Sequence, residues 1–410
     1  MISRSRSNAR ALWLALGAVV AAPSAALVAA CATNGPAVTI EPASGEETVR
    51  GADGGLDDGD ATDSGADAPC ADCEFFPESC VPDALCSYGP FDPGIAGGEF
   101  DLRTRVNVIR GRSANDVWVA GGAGAIAHFD GTSWARSASG THDTLVALWL
   151  SDVEVAFGQP EVLHTRGISV PDAGVSPDGW TIQKTATIDA RYNTWPSTVL
   201  VSASAAPDAE WLWLAARSSD PNQALRSCGL WRMRRSPSGF EVAVGVDPSR
   251  FFYGMTSIHG ISTDVLWAVG DNGVAARVTG AQEAKPEYAL FDTKTRNGLR
   301  GVWVASESEA WAVGGSGTIR HYTGGAHDWD IVSDVPTIRH LNAVWGTSSS
   351  DVWAVGDGAV VLHYDGTRWS RMKIAGLGPR RPDLYTVWTA APGHVWIGGH
   401  GVFLSLGGKP

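Results

Sequence analysis

A short tryptophan-containing motif recurs along most of the chain, and this repeat restricts the possible folds more than any other feature. Clear copies of an Asp-Val-Trp-Ala-Val-Gly pattern occur at residues 116–121, 264–270, 310–314, 351–356 and 394–398. Two degenerate copies, at residues 153–158 and 211–215, fill the gap between the first two clear copies. The alternation of apolar and polar residues within the copies is that of a half-buried β-strand. The chain contains 49 glycines and 18 tryptophans but only 4 methionines, and this composition favours an all-β fold over a helical bundle.

The spacing of the copies matches the repeat length of a β-propeller blade. The central residues of the seven copies are Trp118, Val155, Trp213, Trp267, Trp311, Trp353 and Trp396. Residues 100–410 hold one copy per about 44 residues, and four-stranded propeller blades repeat every 40 to 50 residues or so. We therefore predict a seven-bladed β-propeller over residues 98–410, with the Trp rings filling the space between blades.

The sixth copy divides into four predicted strands, at residues 341–345, 351–355, 360–364 and 369–374. The seventh copy ends before its outer strand. Residues 100–105 lie just ahead of the first copy and have a strand-like pattern. We predict that they pair with the last blade and close the ring, which would protect an open sheet edge.

The repeat resembles that of a known group of proteins. The elements Leu-x-x-Val-Trp-Gly, Asp-Val-Trp-Ala-Val-Gly and His-Tyr-Asp-Gly-Thr-x-Trp, at residues 341–346, 351–356 and 363–369, resemble repeats of secreted β-propeller lipoproteins of myxobacterium-like bacteria. They are more distantly similar to the photosystem II assembly-factor propeller and to Asp-box (BNR) repeats. The resemblance implies the propeller fold but little about activity, because propellers host many functions.

The N-terminus has the pattern of an export signal. Arg4, Arg6 and Arg10 precede an apolar stretch, and no acidic residue occurs before Cys31. Residues 28–31, Val-Ala-Ala-Cys, resemble the lipobox of bacterial lipoproteins. That resemblance implies that residues 1–30 are a signal peptide and that Cys31 is lipidated. A membrane-spanning anchor is the alternative, although Pro23 makes a poor spanning helix.

The resemblance also implies a location. In lipoproteins an Asp after the lipidated Cys retains the protein at the inner membrane, and this chain has Ala32. We therefore expect a lipid anchor in the bacterial outer membrane, with acyl chains that hold the protein without spanning the bilayer.

The negative charge is concentrated near the N-terminus. Residues 32–99 contain 15 acids and one base, whereas the formal net charge of the whole chain is -13. The region 31–69 lacks aromatic residues and an apolar period, so we predict a disordered acidic linker rather than a calcium site. The region after residue 99 is nearly neutral, which gives no support for nucleic-acid binding.

Four cysteines occur together in the segment 70–97. They are Cys70, Cys73, Cys80 and Cys86. In an oxidising compartment they predict two disulfides with three possible connectivities. A zinc site would need two Cys-x-x-Cys pairs, and only the first pair has that spacing. Cys228 remains, either as a buried thiol or in an intermolecular bridge.

Three histidines could be mistaken for a metal site. His128, His321 and His363 each follow a repeat Trp by ten residues, so they lie on equivalent strands of separate blades. We predict structural hydrogen bonding for them and assign no metal, cofactor or catalytic residue. Acids that could serve a two-carboxylate glycan-cleaving site are available at Asp152, Glu154, Glu210, Asp264 and Asp271.

Two functional hypotheses follow from these patterns. The first is a monomeric, non-catalytic lipoprotein whose propeller binds an envelope protein or a surface polysaccharide. The second is a secreted glycan hydrolase or lyase, of the sialidase-like propeller type, with its site in the central channel. Longer spacings place extra loops at residues 167–179 and 217–247, beside the second to fourth blades, where a ligand would be sought first.

Overall fold

The computed structural model describes residues 72–169, 174–187, 198–219, 229–247 and 253–409. These residues form 28 β-strands joined by turns and short 3-10 segments, and they contain no α-helix. None of their helical segments is long and apolar enough to cross a membrane. Cys31, Cys70 and Cys228 lie outside the described residues, as do the predicted signal peptide and linker.

The strands follow one another with short connections. In chain order they are β1 Leu85–Ser87, β2 Val106–Ser113, β3 Asp116–Gly121, β4 Ile126–Phe129, β5 Trp134–Arg136, β6 Ala147–Leu150, β7 Glu154–Gln159, β8 Val162–Arg166, β9 Trp180–Thr187, β10 Thr198–Ser204, β11 Trp211–Ser218, β12 Gly229–Ser236, β13 Gly239–Val244, β14 Met255–His259, β15 Leu266–Gly270, β16 Ala275–Thr279, β17 Glu287–Phe291, β18 Leu299–Ser306, β19 Glu309–Gly314, β20 Ile319–Tyr322, β21 Asp330–Ile331, β22 Leu341–Ser348, β23 Asp351–Gly356, β24 Val360–Tyr364, β25 Trp369–Arg371, β26 Leu384–Ala391, β27 His394–Gly399 and β28 Val402–Leu406.

The strands form six sheets. Five are four-stranded, with the orders β2-β3-β4-β5, β14-β15-β16-β17, β18-β19-β20-β21, β22-β23-β24-β25 and β1-β28-β27-β26. The sixth has eight strands and consists of two antiparallel meanders, β6 to β9 and β10 to β13. These two meanders are joined because β13 pairs with β9 in parallel, with Phe240 opposite Thr185. The sequence did not predict this pairing, since it joins two edge strands that are far apart in the chain.

The repeat motif forms the second strand of each meander, as predicted. Its central residues are all buried, and each lies opposite a residue of the first strand. The first strands β2, β6, β10, β14, β18, β22 and β26 are neighbours in space around the molecule. An all-β, propeller-like architecture is therefore confirmed.

The Trp rings pack between sheets in a repeated geometry. Four second-strand indoles meet an indole at the outer edge of the next sheet at nearly a right angle. The pairs are Trp118 and Trp180 (5.9 Å, 81°), Trp267 and Trp329 (4.9 Å, 85°), Trp311 and Trp369 (5.5 Å, 78°), and Trp396 and Trp134 (5.4 Å, 84°). Edge-to-face contact of this kind is favourable beyond simple burial. Each contact ties one sheet to the next.

The last sheet takes its outer strand from ahead of the first repeat, but from a different segment than the one predicted. Strand β1 pairs with β28, with Leu85 opposite Leu406. The prediction for residues 100–105 was wrong: they form no strand of this sheet, although Thr104 and Arg105 contact the turn between β27 and β28. Part of the segment 70–97 thus belongs to the last sheet.

Contacts beyond β1 also hold the cysteine-containing segment to the sheets. The Leu85 amide donates a hydrogen bond to the Lys373 carbonyl (2.8 Å), and the Arg381 guanidinium lies 3.5 Å from the centre of the Phe76 ring. Cys80 and Cys86 form a disulfide, and Cys73 is also disulfide-bonded.

Candidate binding site at the mouth of the central channel

The register of the first strands places one ring of residues around the central axis. In each meander the residue opposite the repeat Trp, or opposite Val155, occupies an equivalent position. These residues are Arg110, Trp149, Ser204, His259, Trp303, Trp345 and Trp388. Four of the seven are Trp, so the ring is mainly aromatic, with Arg110 as its only permanent cation among these positions.

Two of the ring tryptophans turn away from the axis. Trp303 and Trp388 are buried between sheets, where they lie against glycines of the following first strand. A Cβ atom at Gly346 would lie 2.8 Å from the Trp303 ring, and one at Gly111 would lie 2.5 Å from the Trp388 ring. Glycine at these two positions therefore makes room for the indoles.

Trp345 instead reaches the axis itself. Its ring lies 4.7 Å from the imidazole of His259 and 4.9 Å from the Arg110 guanidinium carbon. His259 and Arg110 belong to β14 and β2, whereas the first strands next to β22 are β18 and β26. An indole that contacts both must extend across the channel.

Two cavities meet at these side chains. The first, which we call the channel cavity, has a volume of about 140 Å³ and is lined by polar residues that include Asn107, Ser202, Ser257 and Arg300. The second, the funnel, has a volume of about 800 Å³. Both are lined by Arg110 and Trp345, so these two side chains stand between the cavities.

The funnel wall is mostly apolar. Its lining includes Leu148, Trp149, Leu212, Ile261 and Trp388. The Ile261 side chain is exposed, at 43%. A cavity of this size, with apolar and aromatic side chains beside several polar groups, is typical of ligand sites in proteins.

Arg110 is a cation without an acidic partner among the described residues. Its Nη1 donates to the Ile109 carbonyl (2.8 Å) and its Nη2 to the Ala203 carbonyl (3.4 Å). No carboxylate of the described residues forms an ion pair with it. Burial lowers the pKa of Arg110 to about 10, so the guanidinium remains charged at neutral pH.

His259 is neutral beside this cation. Its Nδ1 accepts a hydrogen bond from the Val304 amide (3.0 Å), which requires an unprotonated Nδ1. Burial, and then the charge of Arg110, lower the pKa of His259 to about 3. The two groups therefore contribute a single positive charge to the floor of the funnel.

The three predicted histidines form structural hydrogen bonds on separate sheets, as expected. Their Nε2 atoms lie 2.8, 2.9 and 2.7 Å from a carboxylate oxygen, in the pairs His128 with Asp116, His321 with Glu309, and His363 with Asp351. Each imidazole also stacks on the repeat Trp of its own sheet. Within the described ranges no three His, Cys, Asp or Glu side chains are grouped as metal ligands.

The acids considered for glycan cleavage lie apart from one another, and each already has an interaction partner. Asp152 pairs with Arg235 (3.1 Å), Glu154 with Arg112 (2.7 Å) and Glu210 with Arg234 (2.7 Å). Asp271 lies 3.5 Å from Arg217, and Asp264 accepts a hydrogen bond from the Gly280 amide (2.9 Å). Of these five acids, Asp152 alone lines the funnel.

The predicted ligand region is only partly matched. The funnel does lie beside the second to fourth meanders, through residues 148–152, 203–209 and 259–261. The described parts of the loops 167–179 and 217–247 do not line it. Sequence reasoning missed Arg110, although a signal existed: Arg110 stands where the sixth copy has the Trp of its Leu-x-x-Val-Trp pattern.

No protein-family model and no curated protein sequence matches the chain. Solved structures do. YCF48 bound to D1 peptide is 12% identical, with a TM-score of 0.53 over 80% of this chain and 99% of that one. YCF48 from Cyanidioschyzon merolae is 12% identical, with a TM-score of 0.55 over 79% and 98% of the two chains. A streptogramin B lyase is 12% identical, with a TM-score of 0.54 over 77% and 95%. At this identity the likeness concerns the fold.

Proposed function

We propose that the chain is a seven-bladed propeller that acts as a non-catalytic binding or scaffold module. In this proposal the eight-stranded sheet is two blades whose outer strands, β9 and β13, pair at their edges. The observation that carries the binding role is the funnel, an 800 Å³ cavity with aromatic walls at one mouth of the channel. The partner is an envelope protein or a surface polysaccharide.

The binding role is also consistent with the structural neighbours. One of them, YCF48, is seen with a peptide partner on the same overall fold. The streptogramin B lyase shows that the fold also occurs in an enzyme. The alternative for this chain is a glycan hydrolase or lyase. We favour binding because the two carboxylates in the funnel lining, Asp152 and Asp208, are both exposed and Asp152 is paired with Arg235.

The proposed location is the outer membrane, with the protein held through lipid on Cys31. This part rests on the lipobox-like residues 28–31 and the preceding apolar stretch. Replacement of Cys31 by Ser should release the protein from the membrane fraction after cell lysis. Retention of the Cys31→Ser variant in that fraction would contradict the lipid anchor.

The binding role is tested with residues 72–410 on arrays of bacterial glycans and envelope-protein peptides, with release of reducing ends measured in the same wells. Two exposed isoleucines provide matched variants: Ile261 lines the funnel, whereas Ile338, exposed at 87%, does not. We expect the chain to bind a partner on the array without releasing reducing ends. Binding should be lost in Ile261→Asp and kept in Ile338→Asp. Release of reducing ends would instead support the enzyme.

A further inference from the structure

Within the part of the chain that the structure describes, the floor of the funnel carries one uncompensated positive charge. Its described lining contains two arginines, Arg110 and Arg112, and two acids, Asp152 and Asp208. Arg112 is already paired with Asp116 (2.8 Å) and Glu154 (2.7 Å). Asp152 and Asp208 are exposed at the rim, in contact with solvent. Among the described residues, the cation at the bottom therefore has no anion to balance it.

A buried cation without a counter-ion is costly, and an anionic ligand would remove that cost. Arg110 uses two of its five N–H donors on the carbonyls of Ile109 and Ala203. The remaining donors are sufficient for a carboxylate, which matches the planar guanidinium in charge and geometry. A single positive charge is matched by a monoanion better than by a phosphate dianion.

The walls of the funnel define the rest of the ligand. Trp149, Trp345 and Ile261 present apolar and aromatic surface beside Arg110. An apolar body of the size of a small organic molecule would bury this surface.

We infer that the funnel binds a carboxylate attached to an apolar or aromatic body, with the carboxylate on Arg110 and the body against Trp149 and Ile261. This inference rests on the proposed function, since it takes the funnel as the binding site and names the chemistry that the site recognises. A free organic acid and an acidic group of a larger partner present the same chemistry.

The test compares three probes by calorimetry with the full chain: indole-3-acetate, its primary amide and inorganic phosphate. We expect indole-3-acetate to bind at least tenfold more tightly than the amide, and phosphate not to compete with it. Arg110→Gln should weaken indole-3-acetate binding by about 10- to 100-fold, the range for loss of a charged hydrogen bond. Arg368→Gln makes the same charge change at an exposed turn away from the funnel and should bind normally.

Folding of the variants is checked by thermal unfolding, and Arg110→Lys provides a second test. Lys keeps the charge but not the planar donors, so its binding should lie between those of wild type and Arg110→Gln. Equal binding of acid and amide, or unchanged binding by Arg110→Gln, would overturn the inference. If the array partner still binds in an Ile261-dependent way in that case, the proposed function stands and only the carboxylate assignment fails. A peptide that competes only with its acidic group intact would identify a larger partner as the source of the carboxylate.

Discussion

The imidazole of His128 and the carboxylate of Asp116 form a hydrogen bond of 2.8 Å inside the first sheet. The same carboxylate oxygen accepts a bond from the indole nitrogen of Trp118 (2.9 Å), on which His128 is stacked. The acid at the start of the repeat motif therefore holds two aromatic rings in place. An identical arrangement of Asp, Trp and His recurs in the sixth repeat.

Substitution of Asp116 by Asn should destabilise the fold most at neutral pH. Burial alone would raise the pKa of Asp116, but hydrogen bonds from Arg112 and His128 outweigh it and lower the pKa below 3.8. The contribution of the carboxylate is therefore complete above about pH 4 and is lost as the pH falls through the lower, folded-state pKa. We expect Asp116→Asn to cost about 1 kcal/mol at pH 7, and less at pH 2.5, in denaturant unfolding.

The control for this experiment is Glu307→Gln, which neutralises an exposed acid. Its free energy of unfolding should stay close to that of the wild type at both pH values. If the loss of unfolding free energy in Asp116→Asn, relative to the wild type, grew as the pH fell, it would contradict the role assigned to the carboxylate.

Substitution of Gly111 by Ala should disturb the contact between the first and last sheets. The added Cβ would lie 2.5 Å from the Trp388 ring and 2.8 Å from the Asp116 carbonyl oxygen. Overpacking of this kind costs about 1–3 kcal/mol, measurable by urea unfolding. Gly122→Ala, whose nearest atoms are at 3.9 Å, is the control and should be close to neutral. Equal losses of unfolding free energy in Gly111→Ala and Gly122→Ala would show that the Trp388 ring does not require a glycine at position 111.

His259 should make stability depend on pH between about 6.5 and 3. The unfolded chain binds a proton at His259 near pH 6.5, whereas burial, and then Arg110, lower the folded-state pKa to about 3. Within this window the unfolded state holds more protons, so the free energy of unfolding falls as the pH falls. The slope from this group approaches about 1.4 kcal/mol per pH unit.

The slope is measured by comparing wild type with His259→Phe at several pH values. Loss of the acceptor for the Val304 amide should lower the stability of the variant at every pH, so the slopes and not the absolute values are compared. His142→Phe, at an exposed position, should keep the wild-type slope. An unchanged slope in His259→Phe would mean that His259 titrates alike in both states.

The sheets could be predicted from the sequence because their signal is local and repeated. The central residue of each motif copy is buried on a second strand, and between the predicted strands 360–364 and 369–374 Asp365 accepts turn hydrogen bonds from the amides of Thr367 and Arg368 (2.9 and 3.0 Å). The funnel could not be predicted in the same way. Its floor depends on Trp345 crossing the axis to Arg110 and His259, which are far away in the sequence.

The closing strand was missed for a related reason. Strand β1 has three residues, too few to show an alternating pattern. Long-range contacts hold Leu85 in the last sheet: it pairs with Leu406, and its carbonyl accepts a hydrogen bond from the Ala375 amide (2.8 Å). Residues 100–105 have the better local pattern, but Leu102 is 60% exposed.

The two leucines allow the closure to be tested directly. Leu85 is fully buried, so Leu85→Ala should lower the free energy of unfolding by about 2–5 kcal/mol. Leu102→Ala, in the segment first expected to close the ring, should change it by less than about 0.5 kcal/mol. Urea unfolding of residues 72–410 measures both, and a larger loss for Leu102→Ala would restore the original prediction.

Removal of the whole strand should have a further effect that a point substitution does not. A fragment of residues 98–410 lacks β1 and leaves the hydrogen-bonding edge of β28 unpaired. Unpaired edges of this kind associate with other chains. We therefore expect the full chain to be monomeric in light scattering and residues 98–410 to self-associate and unfold at a lower temperature, because the edge that Leu85–Ser87 covers is then exposed.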